Sequence, residues 1–70
     1  MAHVPLVVHP AMEQGGRPVV VRNEVAGLAH SDRDAVEFLR RAGLPLGEGI
    51  LDDPVWVEWR GGRAHDYEAA

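Results

Sequence analysis

Residues 30–45, HSDRDAVEFLRRAGLP, specify one helix and then forbid its continuation. Ser31 is a good N-cap, and Asp34 stands at the N3 position, from which it can reach back as a short capping box. Asp32 and Asp34 fall in the first turn, where the helix dipole favours anions; Arg40 and Arg41 fall in the last, where it favours cations. Ala35, Phe38, Leu39 and Ala42 recur at helical spacing, with Val36 beside them. Gly43 suits the left-handed position after the helix, Leu44 can then touch Leu39, and Pro45 stops the chain from going on. No second helix is written anywhere else in the 70 residues. The apolar stripe of this one must therefore be covered by a sheet.

The sheet is readable on both sides of the helix. Val19-Val20-Val21-Arg22 is β-branched and follows a proline, and Val25–Ala29 reads as its return strand after a tight turn at Asn23-Glu24. That turn would set Val21 opposite Ala26 and Val19 opposite Leu28 on one face, with Val20, Arg22, Val25 and Gly27 on the other. Residues 55–60, VWVEWR, alternate as a last strand and end at Gly61-Gly62. Val4–Val8 has strand composition, but Pro5 cannot donate to a ladder, which suggests an edge strand or an extended arm. The expected fold is α+β in two layers: a β-β-α-β core with one helix on a mainly antiparallel sheet of three strands, or four if Val4–Val8 joins. Residues 1–17 would be an N-terminal arm or edge strand plus a loop, 18–62 the core, and 63–70 a flexible tail. Val19, Val21, Leu28, Val57 and Trp59 would pack on Phe38, Leu39 and Ala42, with Ile50 and Leu51 tucked in beside them.

Composition narrows what such a fold can do. The chain has 23 large apolar residues, ten of them valine. That fills one layer between a helix and a sheet but leaves little for a deep substrate pocket of ~300 Å³ or more. There is no cysteine, so disulfides and thiolate zinc sites are excluded. The net charge of −4 argues against a non-specific binder of nucleic acid or anionic membrane. All seven basic residues are arginine, so lysine chemistry such as a Schiff base is excluded as well. Met1–Val8 lacks the basic flank and length of a signal peptide, and no apolar run approaches the ~20 residues of a membrane span. These features point to a soluble cytoplasmic protein.

The residues that could carry chemistry do not assemble. His30, Asp32 and Asp34 suggest a metal site, but Asp32 and Asp34 are two apart on a helix and point roughly 200° apart. The cap already accounts for Ser31, Asp32 and Asp34. His65-Asp66 beside Tyr67 resembles a base with its orienting partner, yet the lone Ser31 caps the helix and there is no Thr or Cys to serve as nucleophile. His3 and His9 read as exposed residues beside an edge segment. Arg60-Gly61-Gly62-Arg63 holds a single RGG, which fits a Gly-Gly turn better than an RNA-binding tract made of repeats. The chain reads as non-enzymatic, with no cofactor and no metal.

The sheet face turned away from the helix is more informative. Val20, Val25 and Trp56 alternate onto it, with Arg22, Glu58 and Arg60 alongside. Trp and Arg are enriched at binding hot spots, and an uncovered apolar patch marks an interaction surface. The alternative is that the N-terminal arm or the tail folds over it. Val20, Arg22, Val25, Trp56, Glu58 and Arg60 are therefore the candidate interaction residues, for a protein partner or a second copy of the chain.

Two resemblances bear on this. The run VRNEVAGLAHSDRDAVEFLRRAGL followed by LDDPVWVEWRGG resembles short actinobacterial proteins of unknown function, over about residues 19–62. That resemblance fits the arginine-only composition and implies no activity. VAGLAHSDRDAVEFLRRAGLPLGEG is similar in rhythm to AbrB-type antitoxin and regulator domains, which implies a DNA-linked regulator as the alternative function. Those domains carry basic residues on the DNA-facing hairpin, where this chain offers only Arg17 and Arg22.

Overall fold

The helix signals are used much as written. In the computed structural model, which describes residues 4–44 and 48–68, α1 spans Asp32–Arg41. Ser31 Oγ accepts from Asp34 N–H at 3.3 Å. The Asp34 carboxylate reaches one residue further back than a capping box requires and accepts from His30 N–H at 2.9 Å. At the other end Gly43 has φ +77°, and Leu44 N–H donates to Leu39 carbonyl at 3.0 Å while Gly43 N–H donates to Arg40 carbonyl at 3.0 Å. This is the paired Schellman closure, and it brings Leu44 back beside Leu39 in the core. Pro45 lies outside the described residues.

Four strands form one sheet: β1 (Leu6–Val8), β2 (Arg17–Val21), β3 (Glu24–Ala29) and β4 (Val57–Trp59), in the order β3-β2-β1-β4. The architecture is α+β, with a single helix on a four-stranded mixed sheet. β1 is an interior strand, not an edge or an arm. It pairs antiparallel with β2 and parallel with β4. Pro5 does not oppose this, because the ladder begins at Leu6; Pro5 contributes only its carbonyl, which accepts from Arg22 N–H at 2.8 Å. Leu6 and Val8 are then fully buried between neighbours on both sides.

The β2–β3 hairpin turns one residue earlier than the sequence suggests. Arg22 and Asn23 are the two turn residues, with φ +50° and +69°. Two consecutive positive φ values make the I′ geometry, whose twist matches that of the strands. The pairing therefore starts at Val21↔Glu24 and Val20↔Val25, and a register shift follows, so that Val19 faces Gly27. Ala26 is the extra residue of a bulge. The bulge reverses the faces expected for the second half of the strand. Gly27 and Ala29 point at the helix, and Leu28 points away, 37% exposed. At Gly27, φ +150°, a Cβ would lie 2.9 Å from the Phe38 ring, so this position accepts no side chain unless that ring moves.

β4 is shorter than residues 55–60. Asp53 takes over the chain before it: its carboxylate accepts from Val55 N–H at 2.9 Å, and its carbonyl accepts from both Trp56 and Val57 N–H at 3.0 Å. An Asx-type turn thus holds Val55 and Trp56 out of the ladder, and Val55 is 72% exposed. Before it, the 3-10 helix Glu48–Asp52 sends Leu51 fully into the core, with Ile50 packed beside it.

The core lies between α1 and the inner face of the sheet: Leu6, Val8, Val19, Val21, Ala29 and Val57 against Ala35, Leu39, Leu44 and Leu51, closed at one end by Tyr67. Among these apolar side chains sits Arg17, 1% exposed. All five of its N–H groups are used, and every acceptor is a backbone carbonyl. Nε donates to His9 (2.8 Å), one terminal nitrogen to Arg63 (2.7 Å) and Asp66 (3.0 Å), and the other to Arg60 (2.9 Å) and Gly61 (2.5 Å). The guanidinium also lies 5.2 Å from the centroid of the Trp59 ring. Residues 60–67 are therefore docked rather than loose, unlike the flexible tail expected for 63–70. Tyr67 is only 7% exposed, and its carbonyl accepts from Gly16 N–H at 2.7 Å. Residues 69–70 lie outside the described residues.

Replacing Arg17 by Met removes all five donors while keeping most of the volume. Five backbone carbonyls then lose this partner, and the domain is expected to lose about 3 kcal/mol or more of unfolding free energy. Urea denaturation measures this. Arg17→Lys should recover only part of the loss, because an ammonium has three donors and no planar fork.

Candidate interaction surface

The register of the four strands builds a surface on the side away from α1. Val25 pairs with Val20, Val20 with Val7, and Val7 with Glu58, so these four stand in one row across the whole sheet. A second row begins with Leu28 beside its partner Pro18. Val25 is 79% exposed; Val7, Pro18 and Val20 are half-buried. The single described α-helix lies on the opposite face, so no helical layer covers this one. The centre is apolar and the rim is charged, which is the usual anatomy of a protein-binding patch.

The six residues singled out in the sequence are distributed unevenly over this surface. Val20, Val25 and Glu58 belong to the central row. Arg22 is exposed at the hairpin tip, next to Glu24. Arg60 follows β4 and pairs with the Glu58 carboxylate, so the two close the β4 side of the patch as a neutral pair. Trp56 departs most from expectation. It sits in the turn before β4, half-buried and packed against the core, and its carbonyl accepts from Leu6 N–H at 3.0 Å. No strand pairing places it in the outer row. Sequence reading missed Val7, Pro18 and Leu28. Val7 was lost with the treatment of Val4–Val8 as an edge strand or arm, and Leu28 through the bulge at Ala26, beyond which the side chains take the opposite face.

The other candidate chemistry resolves into structure. His30, Asp32 and Asp34 do not converge on a common point: Asp34 serves the cap, and Asp32 accepts from Tyr67 Oη at 2.8 Å and meets His65 Nδ1 at 2.6 Å. Among the described residues no group of three or more His, Asp or Glu is placed to hold a metal ion. His65 does not pair with Asp66. Its Nε2 lies 2.5 Å from Asp52, and these hydrogen bonds, Asp52 first and Asp32 second, hold the imidazole above its ordinary pKa. Burial and the hydrogen bond to Asp32 push the Tyr67 hydroxyl up as well, so it is a neutral donor. His9 contributes its carbonyl to Arg17; His3 lies outside the described residues.

Arg17 also bears on the DNA-linked alternative. Its charge is enclosed and its donors are engaged, which leaves Arg22 as the hairpin's exposed cation. Comparison with protein-family models, with curated proteins and with solved structures finds no match for this chain. Among the described residues no helix is long and apolar enough to cross a membrane.

Because Val25 makes little contact within its own chain, Val25→Ser should change unfolding free energy by no more than about 0.5 kcal/mol. Val19→Ser, one strand away but on the inner face, should cost about 1–3 kcal/mol. Paired urea curves check this, and similar losses at both positions would mean that the outer face is covered.

Proposed function

We propose that this protein is a non-enzymatic protein-interaction module that binds a partner protein through the uncovered face of its sheet. The observation that carries the reading is the row Val25–Val20–Val7–Glu58, apolar over three strands and, among the described residues, unmatched by a second layer. The size of the face sets the kind of contact. Four short strands at about 4.8 Å spacing and 3.3 Å per residue present roughly 200–300 Å². A stable complex buries about 800 Å² on each partner. The partner is therefore held transiently, or it reaches beyond the face past the Glu58–Arg60 pair at the edge. A second copy bound face to face would meet the same limit, so the chain by itself is expected to be monomeric at micromolar concentration.

The test uses the untagged protein coupled to a resin, alongside a Val20→Asp/Val25→Asp double variant and an Arg40→Ala control on the exposed side of α1. Circular dichroism confirms that all three are folded. A protein retained by the native chain and by Arg40→Ala, but released by the double variant, is the expected result. Equal retention by all three would overturn the assignment of the face. Light scattering across concentrations checks the monomer, and a tight dimer at micromolar concentration would contradict the size limit.

A further inference from the structure

The contacts of His65 describe a device independent of the sheet face. Its two ring nitrogens each meet a carboxylate from a different element: Nδ1 lies 2.6 Å from Asp32 Oδ2 at the start of α1, and Nε2 lies 2.5 Å from Asp52 Oδ1 at the end of the 3-10 helix. A neutral imidazole has one N–H and one lone pair, so it can satisfy only one of these contacts; the other would set a lone pair against a carboxylate oxygen. Only the imidazolium donates to both. The ring is further held 5.2 Å from Trp59, and the backbone of His65 stands at φ +66°, a region that non-glycine residues rarely occupy without compensation.

We propose that residues 63–68 form a pH-sensitive latch, in which protonated His65 bridges Asp32 and Asp52 and loss of its proton frees the outer side of the segment. The facing groups are consistent with this. Asp32 comes from α1, Asp52 from the 3-10 helix, and the uncharged Trp59 from β4, whose Glu58 is paired with Arg60. The segment itself supplies Tyr67, neutral and donating to Asp32, with Arg63, Asp66 and Glu68; His30 borders the same cleft. The inner side of the segment is held separately, by Arg17 on the Arg63 and Asp66 carbonyls. Deprotonation therefore loosens the latch without unfolding the core. The sign follows from the raised imidazole. The stabilisation is fully present below the ordinary histidine range and is lost as pH rises through the higher value of the folded protein.

Nuclear magnetic resonance on the untagged chain tests this. The His65 ring protons are followed from pH 5 to 9, together with the Gly16 amide, whose acceptor is the Tyr67 carbonyl within the segment. His65 should titrate above the ordinary histidine range, and the Gly16 resonance should move with the same midpoint. Asp52→Asn, at an exposed position, should lower that midpoint. His65→Gln should abolish the pH dependence at Gly16, while the Val19 amide stays unchanged throughout. An ordinary His65 midpoint, or a Gly16 resonance indifferent to His65 titration, would overturn the latch.

Discussion

Arg17 is the interaction on which the rest of this small fold depends. A charged guanidinium inside a 70-residue domain would ordinarily be a liability, since taking a charge out of water costs several kcal/mol unless it is fully compensated. Among the described residues no carboxylate neutralises it. The compensation comes from five carbonyl dipoles and the face of Trp59, arranged so that each N–H has its own acceptor. Four of those carbonyls belong to residues 60–66. The guanidinium thus acts as a template for a segment with no regular secondary structure, and it replaces the ladder that a further strand would have provided. A chain too short for a large core and lacking cysteine uses one polar centre to secure its C-terminal end.

Docking that segment decides which surface stays open. With residues 60–67 drawn against Arg17, Trp59 and α1, the C-terminal end closes the helical side of the sheet. Tyr67 completes the core there, and the Asp32–His65–Asp52 bridge fastens the outside. β1, inserted between β2 and β4, fills the middle of the sheet. Among the described residues, what remains without a second layer is the opposite face, with Val7, Val20 and Val25 in register across three strands. The division of the molecule into a latched side and a bare side is the structural basis for the proposed function.

The parts of this that were legible in the sequence are those encoded locally. Ser31, the Ala35–Phe38–Leu39–Ala42 stripe and Gly43 act within a few residues of themselves, and they gave the helix and the two-layer α+β class. The alternation Val19–Val20–Val21 gave β2 and its two faces. The failures have specific causes. Arg22 adopts a positive φ although glycine or asparagine is the usual choice, which moved the hairpin tip by one residue. The bulge at Ala26 has no local signature, because alanine is neither a turn nor a bulge residue by preference. Asp53 diverted Val55 and Trp56 from the last strand. Arg17 and His65 were hidden for a different reason: their partners lie tens of residues away, and the acceptors of Arg17 are backbone carbonyls, which every sequence contains. Three of the six candidate surface residues reached the central row, where Val7 joined them; Pro18 and Leu28 make a second row, and Trp56 packs against the core.

The measurement that bears most directly on this account is paramagnetic relaxation of the methyl resonances by a soluble nitroxide. The methyls of Val25, Leu28, Val20 and Val7 should be attenuated in that order of decreasing effect, with those of Leu6, Val8, Val19 and Leu39 spared. If Val7, Val20 and Val25 were as protected as Val19, the outer face would be occupied by the chain itself or by a second copy, and the bare sheet face would not exist.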